Sequence, residues 1–358
     1  MTMTDAILSR DLPRSRVLAV VLAAILLALA FAPFLFSGTR ALDVAAKVCV
    51  FIVLVASYDL LLGYTGIVSF AHTMFFGIGG YGVAIAATRL DSSWLSLAIG
   101  TAGAIGVTLV LSLLVGLFSL RVKAIFFAMV TLAVASFFAI LCSQLSDVTG
   151  GEDGVTFKVP EVLRPGFSLF DEPVMGVAIG GKLITYYMVF FSALALFLVL
   201  LRVVNSPFGR VLLAIRENDF RAEALGYRTV VYRTVANCLG AVIATLSGVL
   251  YALWLRYTGP NTTLDFAIMV DLLLMVVIGG MGTMYGAAIG ATLFIVAQTY
   301  LQDLMKMASD ATQALPLLPS LLHPDRWLLW MGVLFVVCVY YFPLGIVGRL
   351  RQGVIGKR

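Results

Sequence analysis

Charge is what this sequence has least of. Only 12% of its 358 residues are Asp, Glu, Lys or Arg, while 61% are hydrophobic. A soluble domain of this length carries roughly twice that share of charge. Histidine is down to two, His72 and His323, too few for a His-based metal site. The four cysteines, Cys49, Cys142, Cys238 and Cys338, all lie in apolar segments with no CxxC or CxxH spacing, so they read as small buried hydrophobes. Walker A, HExxH and GxSxG sequences are absent. Nothing in the chain is therefore built to cradle ATP phosphates, and metalloprotease or serine-hydrolase chemistry has no residues to rest on. The formal charge of +5 is no sign of nucleic-acid binding, because where the charges sit matters more than their sum. No polar stretch is long enough for a separate globular core; the longest, about 144–184, is loop-sized.

What remains is apolar sequence in runs that approach or reach the ~20 residues needed to cross a bilayer as a helix. The expected fold is an all-α polytopic membrane protein. Ten membrane segments are expected, at about 17–36, 44–62, 66–87, 95–120, 124–143, 185–204, 231–257, 266–280, 287–303 and 327–345. The third, eighth and ninth are glycine-rich and can be broken or re-entrant. The first run follows Arg10, Arg14 and Arg16, and Ala28-Leu29-Ala30 faintly resembles a signal-peptide cleavage site. It continues apolar to Phe36, longer than a usual h-region, and reads as an uncleaved span.

Alternating these spans from an inside N-terminus puts fifteen of the 24 Lys and Arg inside and nine outside. Lys and Arg, rather than net charge, set orientation, so both termini are expected in the cytoplasm. The expected organisation is a tail at 1–16, a membrane domain at 17–345 and a basic tail at 346–358. The outer loop at 144–184 holds "TGGEDGV", then Pro160, Pro165 and Pro173. It is either an ordinary acidic, turn-rich loop or a docking surface formed by Gly150, Gly151, Glu152 and Asp153. A calcium loop is excluded by the missing Asp/Asn ladder and terminal Glu.

The largest inside loop, 205–230, runs "NSPFGRVLLAIRENDFRAEALGYRTV". Ser206 is expected to cap a helix with Pro207 at its first position. Asn218 or Asp219 is expected to cap a second, which ends at Gly226. Basic residues alone would suit a helix lying on anionic lipid. Glu217, Asp219 and Glu223 interspersed among Arg210, Arg216, Arg221 and Arg228 suit a protein groove better.

Residues 63–82, "GYTGIVSFAHTMFFGIGGYG", pose the sharpest question, because six glycines sit in the middle of an apolar span. They either let helices approach closely or mark a broken segment at a solute path, since irregular backbone in lipid survives only when buried in protein or lining a wet cavity. Helical spacing would gather Ser69, His72 and Thr73 into one polar patch. Tyr64, Thr65, Gly77, Gly79 and Asp271 complete the candidate path. Asp271 is expected near the outer end of its span, where it can pair with a basic residue of a neighbouring helix or see water. The second cluster, Gly279, Gly280, Gly282, Gly286 and Gly290, reads as helix packing.

"LLLGYTGIVSFAHTMFFGIGGYG", "TGGEDGV", "SPFGRVLLAIRENDFRAEALGY" and "DLLLMVVIGGMGTMYGAAIGA", in that order, resemble the branched-chain amino acid permease family of ABC importers. The resemblance is to the longer of its two paralogous subunit types and covers about residues 45–300. The family more often has Asn where Asp59 stands and Glu where Asp271 stands. The resemblance implies a non-catalytic permease subunit of a bacterial inner-membrane importer. It also implies a paralogous permease or second copy beside it, two cytoplasmic ATPase subunits that use ATP and Mg, and an extracytoplasmic solute-binding protein. Arg216, Glu217, Asp219, Ala222, Glu223, Ala224, Leu225 and Gly226 would form the ATPase-coupling element. The implied solute is a branched-chain amino acid; other amino acids, urea and small carboxylates are alternatives within the family. A channel or a membrane-embedded enzyme is a weaker alternative, since neither needs the cytoplasmic helix pair.

Overall fold

The computed structural model describes residues 15–35, 38–119, 124–168, 180–311, 323–342 and 345–355. Most of the 1–16 tail, Arg121, Lys123, Pro173, residues 312–322 of the 303–326 segment and the final basic residues Lys357 and Arg358 lie outside the described residues. The fold is all-α, as expected. Its principal helices are α1 (Arg16–Ala30), α2 (Thr39–Thr65), α3 (His72–Arg89), α4 (Trp94–Ser119), α5 (Ala124–Gln144) and α6 (Gly181–Asn205). Then follow α7 (Pro207–Glu217), α8 (Asp219–Ala224), α9 (Thr229–Leu255), α10 (Phe266–Gly279), α11 (Met284–Ala311), α12 (Trp327–Tyr341) and α13 (Gly345–Ile355).

Among the described residues eight helical segments are long and apolar enough to span a bilayer, two fewer than the ten expected. The first exception is α1. The apolar run reaches Phe36, but the helix stops at Ala30, three residues before Pro33. The chain breaks at Phe31 and resumes as one helical turn, Ala32–Leu35, with Pro33 in its first turn. Proline has no N–H and its ring would clash with the carbonyl four residues back, so α1 itself ends before it. The second is the glycine-rich segment, where 66–71 is not helical and α3 starts only at His72.

Burial separates the centre of the bundle from its lipid-facing rim. The apolar window of α2 is 83% buried within the chain and that of α5 only 17%. Helix α2 runs through the middle, with α9, α11 and α6 packed on it, and the largest enclosed side chains, Tyr58, Tyr186, Phe75 and Phe76, gather around it. Helices α4, α5 and α12 leave long apolar side chains exposed, including Leu114, Phe137 and Val336, which in a bilayer face acyl chains.

The glycines bring α3 onto α9. A Cβ built on Gly79 would stand 1.9 Å from the Thr245 carbonyl oxygen, and one on Gly248 would stand 1.8 Å from that of Phe76. The two backbones touch at both points, the close approach that small residues permit between membrane helices. The Thr245 hydroxyl, which donates to the Phe75 carbonyl at 3.1 Å and meets Thr108 Oγ1 at 2.7 Å, fixes the same contact. In the second cluster, a Cβ on Gly279 would meet the Gly286 carbonyl, and one on Gly290 that of Met275, both at 2.0 Å, so α10 and α11 pack backbone to backbone.

A two-residue antiparallel ribbon closes one end of the bundle, with Val155 opposite Thr258 and Thr156 opposite Tyr257. It fastens the 150–154 turn to the end of α9. Helices α7 and α8 precede the other end of α9, so the ribbon and the helix pair lie at opposite ends of the bundle.

Candidate functional site

The helix pair departs from its expected capping in one place. The Ser206 hydroxyl donates back to the Val203 carbonyl at 2.6 Å and does not cap α7. Pro207 does open that helix, and Asn218 caps α8 by accepting from the Arg221 N–H at 2.9 Å. The chain leaves α8 through Gly226 at φ +90°. Of the eight residues expected to couple to an ATPase, six are exposed: Arg216, Glu217, Glu223, Ala224, Leu225 and Gly226. Ala222 is buried within the pair. Glu223 accepts from the Thr229 hydroxyl at 2.8 Å, and Asp219 pairs with Arg233 at 2.9 Å, which ties α8 to the start of α9.

Arg216 turns back toward the membrane bundle. Its Nη1 donates to the Gly63 carbonyl in the last turn of α2. Its stem passes Gly66, which ends α2 at φ +73°, and Nη1 lies 2.9 Å from where a Cβ on Gly282 would stand. Gly282 itself has φ +77°, so a side chain there would be strained as well as obstructed. Its N–H donates to Asp59 Oδ1 at 2.9 Å, while Asp59 Oδ2 is buried without a hydrogen-bond partner. One guanidinium thus bonds the helix pair to the end of α2, and Asp59 of α2 in turn holds the adjacent turn between α10 and α11.

Residues 66–71 follow directly. Their backbone donors find separate partners: Ile67 N–H reaches the Leu61 carbonyl at 3.3 Å, Phe70 N–H the Thr131 hydroxyl of α5 at 3.0 Å, and Ala71 N–H the Ser69 hydroxyl at 3.4 Å. The break is partly enclosed by protein, with Ser69 and Ala71 buried, Ile67, Val68 and Phe70 half-buried and Gly66 exposed. Irregular backbone at membrane depth needs burial in protein or a wet cavity beside it.

Ser69, His72 and Thr73 do not form a single patch. Helical spacing cannot unite Ser69 with the other two, because the helix begins after it. His72 faces α2: its Nε2 lies 2.8 Å from Ser57 Oγ, and its ring stands 5.2 Å from that of Tyr58. Ser57 directs its proton to the Leu54 carbonyl at 2.7 Å, which assigns the Nε2–H tautomer to His72 and leaves Nδ1 a buried acceptor without a partner. Thr73 faces the other way, into a cavity of about 300 Å³ lined also by Phe70, Ser136, Asn261 and Asp265.

Tyr64 and Thr65 are buried in the last turn of α2, Thr65 donating to the Leu61 carbonyl at 2.6 Å. Gly77 faces the side chain of Leu264 and Gly79 the backbone of α9, so in this conformation both glycines sit at packing contacts. Asp271, one and a half turns into α10, meets Gln298 of α11, whose amide also accepts from Lys47 of α2. At the ribbon end Gly150, Gly151 and Gly154 all take positive φ. Glu152 and Asp153 are exposed there, and Tyr257 holds the turn through the Asp153 carbonyl at 2.9 Å.

Residues 40–339 match the family model described as branched-chain amino acid transport system / permease component. The chain belongs to this family. A probable branched-chain amino acid transport permease protein LivM of Methanocaldococcus jannaschii is 27% identical over 79% of this chain and 80% of its own length. The high-affinity branched-chain amino acid transport system permease proteins LivM of Escherichia coli and Salmonella typhimurium are 26% and 24% identical. They are matched over 91% and 89% of this chain, and over 74% and 72% of their own lengths. No solved structure matches the chain.

For a permease of this family, sequence reasoning missed two groups of residues. The first is Phe220, 86% exposed at the tip of the helix pair beside the expected Leu225 at 73%, the kind of apolar anchor that marks a protein contact. The available signal was a lone aromatic in the short charged helix "DFRAEA". The second group is Lys47 and Gln298. Each was visible as a strongly polar side chain inside an apolar run, but only the packing of α2 on α11 brings them to Asp271.

Proposed function

We propose that this permease is a membrane subunit of an ATP-driven importer, moving a small solute by alternating access. The observation that carries the reading is the helix pair, which is exposed and apolar at its tip and bonded at its root to the ends of α2 and α9. In this reading Phe220 and Leu225 seat in a groove of a cytoplasmic ATPase, with Glu217, Ala224 and Gly226 around them. ATP and Mg act on two such subunits, and this chain holds no cofactor. Displacement of α7 pulls Arg216, which moves the Gly63 carbonyl and the Gly282 turn together. Those segments end and join α2, α10 and α11, which flank the break at 66–71. Ser69, His72 and Thr73, with Tyr64 and Thr65 below them, line the route that opens. Gly77 and Gly79 keep α3 close to its neighbours beside it, and Asp271 lies nearer the outer end.

Both termini and the helix pair face the cytoplasm of a bacterial inner membrane, following the Lys and Arg bias. The turn of Gly150, Gly151, Glu152 and Asp153 then receives a solute-binding protein outside. A paralogous permease or a second copy completes the path, and the names of the relatives point to a branched-chain amino acid as the solute. The test is copurification. Phe220→Asp should abolish recovery of the ATPase subunits produced with this permease while leaving membrane insertion intact. Recovery equal to wild type contradicts the reading.

A further inference from the structure

We propose that Lys47 and Asp271, bridged in this structure by the Gln298 amide, form a recognition station for a zwitterionic solute, with Lys47 facing its carboxylate and Asp271 its ammonium. The proposal rests on the importer reading and assigns the chemistry of one step along its path.

The three side chains come from α2, α11 and α10, inside apolar helices and toward the ribbon end of each of α2 and α10. Ionisable groups at such positions are costly, face protein or water in preference to lipid, and mark solute or ion routes. The arrangement is also unusual for a structural brace. A brace would join cation and carboxylate directly. Here, among the described residues, Lys47 and Asp271 form no ion pair. They are linked through one amide: Lys47 Nζ donates to Gln298 Oε1 at 3.2 Å, and Gln298 Nε2 donates to Asp271 Oδ2 at 3.4 Å. Both distances are at or beyond the long end of the usual N–H···O range of ~2.7–3.2 Å.

Two further features point to a ligand. First, the groups have capacity to spare. An ammonium has three donors and a carboxylate has room for several acceptor bonds. Each here makes one hydrogen bond, and Asp271 Oδ1, which makes none, is not among the sealed polar atoms, so that oxygen opens onto space. Second, the Gln298 amide has the polarity of the proposed ligand. Its carbonyl oxygen faces the cation as an α-carboxylate would, and its NH₂ faces the carboxylate as an α-ammonium would. A neutral amide holds this place weakly, and a zwitterion brings full charge to both contacts, which strengthens each hydrogen bond. Lys47 Nζ also lies over the Phe51 ring, 5.5 Å from its centroid, so an aromatic wall stands beside the cation.

The test uses the assembled importer in proteoliposomes, supplied with its binding protein and ATP, with labelled leucine as the probe. The double variant Lys47→Met with Asp271→Leu removes both charges at similar volume. It should assemble and hydrolyse ATP while leucine uptake falls at least tenfold. Gln298→Ala should keep uptake within twofold of wild type or raise it, because it removes only the stand-in. A double variant that fails to assemble, or that moves leucine at the wild-type rate, overturns the proposal. So does Gln298→Ala if it lowers the yield of complex, since the amide is then the centre of a brace. The underlying reading fails differently. A wild type that moves labelled urea but not leucine leaves the importer standing and removes the zwitterion station, whereas one that moves neither removes both.

Discussion

Replacing Gly79 by alanine is the smallest change that tests how this bundle is held together. The added methyl would stand 1.9 Å from the Thr245 carbonyl oxygen and 2.8 Å from its carbon. A comfortable C···O contact is ~3.3 Å, so α3 and α9 must part by about 1.4 Å. Backbone cannot turn aside as a side-chain end can, and the parting also breaks the 3.1 Å hydrogen bond from Thr245 to the Phe75 carbonyl. Overpacking costs ~1–3 kcal/mol and the lost hydrogen bond ~0.5–1.5, against which alanine recovers ~1 of helix propensity. The net is a destabilisation of about 2 kcal/mol. Gly77→Ala is the first comparison. Its methyl would meet Cδ2 of Leu264 at 2.1 Å, a flexible end that can rotate away. The rotamer cost of ~0.5–1.5 kcal/mol roughly cancels the helix gain, so this variant should be near neutral. Gly103→Ala is the second. Nothing lies within 4 Å of its Cβ position, and it should be stabilised by about 1 kcal/mol. Thermal unfolding of the solubilised protein, followed by fluorescence-detected size exclusion, should order the midpoints as Gly103→Ala, Gly77→Ala, then Gly79→Ala. A Gly79→Ala midpoint equal to that of Gly103→Ala would refute the packing argument.

Arg216→Ala should leave the ATPase bound, because Phe220 and Leu225 are untouched, yet reduce uptake at least tenfold while ATP hydrolysis continues; equal losses of binding and uptake would assign Arg216 to the ATPase contact instead. His72→Ala should reduce uptake with normal yield of complex, and wild-type uptake in vesicles would leave His72 as a pin between α2 and α3 alone. In a background with the native cysteines replaced, a cysteine at Glu152 should react with an impermeant maleimide added outside cells and one at Asn218 should not. The reverse pattern would invert the proposed orientation.

The sequence made the architecture legible wherever apolar length decides it. The spans now forming α2, α4 to α6, α9, α10 and α12 were placed to within about five residues, because an unbroken apolar run can satisfy its backbone in lipid only as a helix; α11 was found but runs eight residues past its expected end, to Ala311. It failed at α1, where hydropathy runs on but the helix is broken at Phe31, ahead of Pro33, and at 66–71, where composition alone could not say which side of a break is helical. The polar patch was misjudged for the same reason: spacing arguments assume one continuous helix, and Ser69 lies outside it. The helix pair was legible from Pro207, Asn218 and Gly226. Arg216 bonding to Gly63, and Lys47 reaching Gln298, were not, because each contact joins residues far apart in the chain and depends on how whole helices pack.

The central claim is that this permease converts ATP hydrolysis into directed movement. The most direct measurement is accumulation of labelled leucine by proteoliposomes holding the permease pair, its ATPase subunits and the binding protein, followed until the internal concentration is steady. The account predicts an internal concentration well above the external one, sustained only with ATP and abolished by Phe220→Asp. Leucine that merely equilibrates across the membrane, at the same level with and without ATP, would identify a passive channel and contradict the account.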